Sequence, residues 1–254
     1  MTKTLIMKGA EPYFLPGNSI GCLMIHGFTG TPKELRWIGE YLNNQGFSVL
    51  GIRLAGHATQ VSDLIRTRWW DWLTSVEDGI NFLGNACEQI FTIGLSMGGI
   101  LSLIAAERYP IEGLICMSTP YLVSNDWRLN FAQQLSVIQP FVKKGARKEK
   151  DKEAAAAHLD YPVYPTRSIA ELNKLTREMH AILPKITKPA LIIHSKSDDL
   201  NFQNSIQIHE SIGSTDKKLF LVEKSGHVIT EDIERDIVFN KAAGFITRVS
   251  QIKK

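Results

Sequence analysis

The stretch IFTIGLSMGGILSLIAAERYP, residues 90–110, constrains the fold more than any other part of the chain. An apolar run of strand character ends abruptly at Gly94-Leu95-Ser96-Met97-Gly98-Gly99, and a helix-forming segment follows at once. A chain that turns from strand to helix in so few residues presses the two elements together. The positions two before and two after the tip must then be almost without side chains. Ser96 is the only polar residue at that tip. A serine so placed is exposed, rigidly held, and sits at the N-terminus of a helix whose free N–H groups favour negative charge. Those are the requirements of a nucleophile.

The surrounding pattern repeats the theme. Short apolar runs occur at 20–25, 47–52, 90–93, 113–117, 190–193 and 219–222, without strict alternation, which predicts strands buried on both faces. Helix-like segments near 69–83, 99–108, 169–183 and 205–212 separate most of them. Thr31-Pro32-Lys33-Glu34 reads as a helix start, with Thr at the N-cap and Glu at the capping-box position. Strand alternating with helix predicts an α/β fold with a mostly parallel central sheet and helices on both faces.

One segment breaks the rhythm. Between Ser118 and Pro165 no buried strand is evident. The segment carries a mixed-charge run from Lys143 to Glu153, then four alanines, which suits an exposed helix. Structureless loops of that length are uncommon. The expected division is therefore a core of residues 1–118 and 166–254 with a small cap inserted at 119–165. Its apolar residues Leu122, Phe131, Leu135, Ile138 and Phe141 are expected to face inward.

Serine alone is a poor nucleophile at neutral pH. It needs a base, and the base needs an orienting carboxylate. The strand–elbow–helix sequence G-x-S-x-G matches the α/β-hydrolase elbow, whose chain order is serine, acid, histidine. His227, on a loop after the run at 219–222, is the expected base. The acid should follow the run at 190–193, where Asp198 is the first candidate and adjacent Asp199 the alternative. A second glycine-rich loop, His26-Gly27-Phe28-Thr29-Gly30, also ends a strand. The backbone N–H groups of Phe28 and Met97 are the candidate oxyanion donors, and His26 is expected to brace the loop. His57 is expected to shape a loop, and His194 to end a strand. His158, His180 and His209 read as surface or partly buried helix residues.

Composition excludes some partners. A formal net charge of +3 is small for this size and argues against nucleic acid as an obligatory partner, since phosphate binding needs a concentrated basic surface. Cys22, Cys87 and Cys116 are neither a disulfide framework nor a zinc set, and no metal or cofactor is expected. No run is long enough to span a bilayer or to act as a signal peptide, so a cytoplasmic monomer or homodimer is expected.

Taken together, LMIHGFTGTP, GFSVLGIRLAGH, WWDWLTSVEDGINFL, IFTIGLSMGGILSL, KPALIIHSKSDDL and KSGHVITED make the chain resemble the bacterial carboxylesterases and monoacylglycerol lipases of the α/β-hydrolase superfamily. The resemblance implies Ser96 as nucleophile, His227 as base, and Asp198 as acid, by its position counted from ALIIHS. It also implies the oxyanion donors at Phe28 and Met97 and a lid over an acyl pocket. The expected substrate is a small-molecule ester of short-to-medium chain length. Alternatives are a monoacylglycerol lipase, a thioesterase or hydroxycinnamoyl esterase, and a non-catalytic binding protein on the same scaffold. At YPVYPT this chain has Pro162 where the monoacylglycerol lipases tend to carry polar residues, which favours a general carboxylesterase.

Overall fold

The computed structural model describes residues 5–123, 131–145 and 149–251. In chain order its strands are β1 (Tyr13–Leu15), β2 (Ile20–Ile25), β3 (Ser48–Gly51), β4 (Gln89–Leu95), β5 (Gly113–Met117), β6 (Phe141–Lys143), β7 (Val163–Pro165), β8 (Ala190–Ser195) and β9 (Lys217–Val222). The helices are α1 (Arg36–Asn44), α2 (Val61–Arg66), α3 (Trp69–Gly84), α4 (Met97–Arg108), α5 (Ala132–Leu135), α6 (Lys152–Ala157), α7 (Thr166–Ile182), α8 (Gln203–Ser211) and α9 (Arg235–Gln251).

Seven strands form one sheet in the order β1-β3-β2-β4-β5-β8-β9. Only β1 runs antiparallel to its neighbour; the other pairings are parallel. The absence of alternation in the sequence now has its reason, since both sheet faces are covered. Cys22 and Met24 of β2, Phe91 and Ile93 of β4, and Leu191 and Ile193 of β8 point to one core with α1 and α9. Their alternates Leu23 and Ile25, Ile90, and Ala190 and Ile192 point to the other, with α3, α4 and α7. Burying a side chain of this size contributes about 1.5–3 kcal/mol.

Parallel strands bring their carboxyl ends to one edge of a sheet, where loops can converge. The loops after β2, β4, β5, β8 and β9 are neighbours there because those five strands are consecutive in the sheet. At the end of β4 the chain makes the expected sharp turn. Ser96 has φ 54° and ψ −117°, a conformation costly for any residue with a side chain. The small neighbours follow from close approach: a Cβ at Gly94 would overlap the Gly98 carbonyl, and one at Gly98 would overlap the carbonyl of Ile25.

Two local expectations change. Thr31 has no side-chain capping bond, Pro32–Leu35 is a 3-10 turn, and Glu34 points elsewhere. The apolar residues of the insertion are not turned inward. Leu122, Phe131, Leu135, Ile138 and Phe141 are exposed, Ile138 at 85%. At four residues, α5 is too short to present an apolar face to a core. The insertion instead contains a short β6–β7 antiparallel pair, and it meets the loop after β2 through Lys144, Tyr161 and Tyr164. Arg147 and Lys148 of its charged run lie outside the described residues.

Candidate active site

A cavity of about 720 Å³ opens at the carboxyl edge of the sheet and is lined by Phe28, Ser96, Asp198 and His227 among others. Ser96 comes from the β4–α4 turn. Its own amide donates to the Met117 carbonyl at 2.8 Å, which anchors the tip to β5. Met97 is the first residue of α4, so its N–H has no partner within the helix, while its side chain is fully buried.

His227 lies on the loop after β9, and Asp198 on the loop after β8. The two loops are tied together before either side chain is considered. Lys196 N–H donates to the Val222 carbonyl at 2.8 Å, and the Ser197 hydroxyl to the Glu223 carbonyl at 2.7 Å. The Ser195 hydroxyl donates to the Ser225 carbonyl. On this frame His227 Nδ1 donates to Asp198 Oδ2 at 2.8 Å. The Asp198 side chain is fully buried, and the imidazole is 31% exposed toward the cavity. Asp199, its sequence neighbour, is exposed and also lines the cavity.

The electrostatics follow from burial and charge. Burial works against ionisation of Asp198. The His227 charge and the hydrogen bonds from His194 and His227 outweigh it and hold the carboxyl below the ordinary carboxylate range. Burial also favours neutral His227. The Asp198 charge and hydrogen bond overcome that effect, with Glu34 and Glu149 adding to it, so the imidazole titrates above the ordinary histidine value. A base must be neutral to accept a proton. The acid limb of kcat/KM is therefore expected above pH ~6.5, with activity lost as pH falls through it. A pH–rate profile with a limb at or below that value contradicts the assignment.

The loop after β2 is held from behind. His26 is fully buried; its Nε2 accepts from Leu54 N–H at 3.1 Å, and Nδ1 lies 2.9 Å from the Gly27 carbonyl. Burial pushes its pKa down to about 4, which keeps the ring neutral and suited to bracing. Glu34 Oε2 accepts the Gly27 N–H at 2.7 Å, one residue before Phe28. Phe28 stacks on Tyr164 of the insertion, with ring centroids 5.9 Å apart. Tyr161 N–H donates to the Thr29 carbonyl at 2.9 Å, and Lys144 Nζ to the Thr29 hydroxyl at 2.6 Å.

A sequence profile of the family described as "Serine aminopeptidase, S33" matches residues 16–234, the elbow and all of these loops included. The chain belongs to that hydrolase family. This S33 chain is 32% identical over 252 residues to the thermostable monoacylglycerol lipase of Bacillus sp. (strain H-257), with 96% of each chain covered. It is 28% identical over 242 residues to the carboxylesterase of Bacillus subtilis (strain 168), covering 94% of this chain and 97% of that one. A solved structure described with the metagenome-derived lipolytic enzymes LipS and LipT superposes with a TM-score of 0.89 at 30% identity, covering 96% and 99% of the two chains. The fold is that of the α/β-hydrolases.

Sequence reasoning misses several residues of this S33 site. His158 is partly buried directly after α6, and its ring is turned inward. Its side chain is 3% exposed, with Nδ1 donating to Glu231 Oε2 at 2.6 Å and Nε2 3.5 Å from Glu34 Oε1. Asp232 is fully buried; Oδ2 accepts Gly226 N–H at 2.6 Å, beside His227, and Oδ1 accepts the amides of Lys150 and Asp151 at 2.8 Å. Glu231 and Asp232 thus join the His227 loop to the insertion. Both stand in the stretch KSGHVITED, where an acidic pair shortly after His227 is the signal that could have found them. His194 is the penultimate residue of β8, and its ring meets Asp198 at 2.9 Å. Among the described residues, no group of three or more His, Cys, Asp and Glu is arranged to hold a metal ion, and no helix is long and apolar enough to cross a membrane.

Proposed function

We propose that this chain is a serine carboxylesterase that cleaves short-to-medium-chain esters through an acyl-enzyme intermediate. The observation that carries the reading is the meeting in one cavity of an elbow serine and an imidazole already hydrogen-bonded to a buried carboxylate. His227 takes the Ser96 proton as Ser96 attacks the ester carbonyl. Asp198 holds the ring and stabilises the imidazolium. The N–H groups of Phe28 and Met97 receive the oxyanion; a preorganised donor of this kind is worth about 3 kcal/mol of barrier. His227 then protonates the leaving alcohol, and a water activated by the same ring releases the acid.

Residues 119–165 act as a cap over the acyl pocket. Lys144, Asp160, Pro162 and Tyr164 from this segment line the cavity, and Tyr161 and Lys144 bond the loop that carries Phe28. Apolar Leu95, Val123, Ile169 and Leu172 supply a surface for an acyl chain. Pro162 offers an alcohol no hydrogen bond from its side chain, which supports a general esterase over a monoacylglycerol lipase.

A hydrolysis panel of p-nitrophenyl esters from acetate to palmitate, with monoacylglycerols alongside, tests the reading. Turnover is expected to peak at short-to-medium chains. Covalent labelling of Ser96 by a fluorophosphonate with no turnover on any ester would replace the reading by a ligand-binding protein on a hydrolase scaffold.

A further inference from the structure

His194 is fully buried at the end of β8. Its Nε2 lies 2.9 Å from Asp198 Oδ2 and 2.8 Å from the Leu200 carbonyl oxygen. Two oxygens face one ring nitrogen, so that nitrogen carries the proton; a bare lone pair there would be repelled by both. Nδ1 is buried and has no hydrogen-bond partner among the described residues. A second proton on Nδ1 would have no acceptor, so the ring donates from Nε2 alone.

Asp198 Oδ2 therefore takes two imidazole donors, from His227 on the cavity side and from His194 on the core side. Oδ1 accepts Leu200 N–H at 2.9 Å. His194 closes a small cycle in which Leu200 gives its N–H to the acid and its carbonyl to His194. A buried polar atom left without a partner calls for an explanation. If β8 needed only packing at this position, an aliphatic side chain would fill it without stranding Nδ1. What the imidazole adds is a donor aimed at the oxygen that also holds His227.

We propose that His194 is a positioning residue that fixes the Asp198 carboxylate and moderates its pull on His227. The inference rests on Asp198 being the acid of the proposed mechanism. A donor on Oδ2 draws electron density from the bond to His227. Without it, Asp198 turns more freely and binds the imidazolium more strongly. The charged groups acting on His227 are Asp198, Glu34 and Glu149; Asp198 faces the His227 ring and the neutral donor His194. Removing His194 leaves these charges in place and takes away one hydrogen bond to Asp198.

The test compares His194→Leu, His194→Asn and His194→Gln by kcat, KM, melting temperature and pH–rate profile on p-nitrophenyl butyrate. Glutamine reaches the Nε2 position and asparagine does not. Leucine and asparagine are expected to lower kcat about 10- to 100-fold, the range of a lost hydrogen bond to a charged group, with KM little changed and the acid limb moved to higher pH. Glutamine is expected to restore both. If the leucine variant fails to fold, the asparagine–glutamine pair carries the comparison. Wild-type kcat and limb in the asparagine variant would overturn the proposal. So would losses that follow melting temperature alone with the limb unmoved, or a glutamine variant no better than asparagine. Asp198→Asn, run in parallel, separates the two ideas: an active Asp198→Asn sinks the mechanism itself, whereas an inactive one beside an unaffected His194 series sinks only this inference.

Discussion

Ser96→Ala is expected to lower turnover of p-nitrophenyl butyrate by about a millionfold and to abolish fluorophosphonate labelling, while the protein melts near the wild-type temperature. The expected loss follows from the role: without the oxygen there is no acyl-enzyme, and only binding and the two amides remain. The preserved stability follows from the backbone. At φ 54° and ψ −117° a serine and an alanine are strained alike, because the cost comes from Cβ. Ser96→Gly removes that cost, and the glycine variant is expected to be inactive yet more stable than wild type by ~1 kcal/mol. Thermal melts and kinetics on the same samples check both halves. An alanine variant with near-wild-type turnover would place the chemistry elsewhere. A glycine variant less stable than alanine would show that the turn is held by something other than local backbone strain.

That pairing of strain with chemistry is also why so much of the site is legible in the amino-acid sequence. Four glycine-rich or polar loops stand directly after apolar runs, and parallel pairing puts such loops side by side. The runs at 20–25 and 113–117 coincide with β2 and β5, because strands covered on both faces are apolar throughout. Tyr13–Leu15 is not legible: three residues at a sheet edge carry no period. The insertion misleads for a related reason. Its apolar residues suggest an inside that helices as short as α5 do not create. Glu34 misleads because a carboxylate three residues after a threonine looks like a capping box, whereas its partner is the Gly27 amide seven residues back. His158 and His194 show the limit of local patterns. His158 meets Glu231 73 residues away, and His194 sits in an apolar strand whose inner face is set by the neighbouring loop.

The adjacent aspartates give the sharpest discrimination. Asp198→Asn is expected to cut kcat by about ten-thousandfold, and Asp199→Asn by no more than a few-fold. Asp198 is the residue whose Oδ2 receives His227 Nδ1 at 2.8 Å in a fully buried position. An asparagine there can present its NH₂ to the ring, which selects the wrong tautomer and leaves a base that cannot accept the serine proton. The pH profile separates this from loss of stability. Asp198 raises the His227 pKa through its charge and hydrogen bond, so Asp198→Asn should also move the residual activity's acid limb to lower pH, toward the value burial alone would give. Asp199 is exposed, and water screens its charge, so its removal should leave the limb nearly unchanged. Equal losses in the two variants, or a limb that moves only with Asp199→Asn, would reassign the acid to its neighbour.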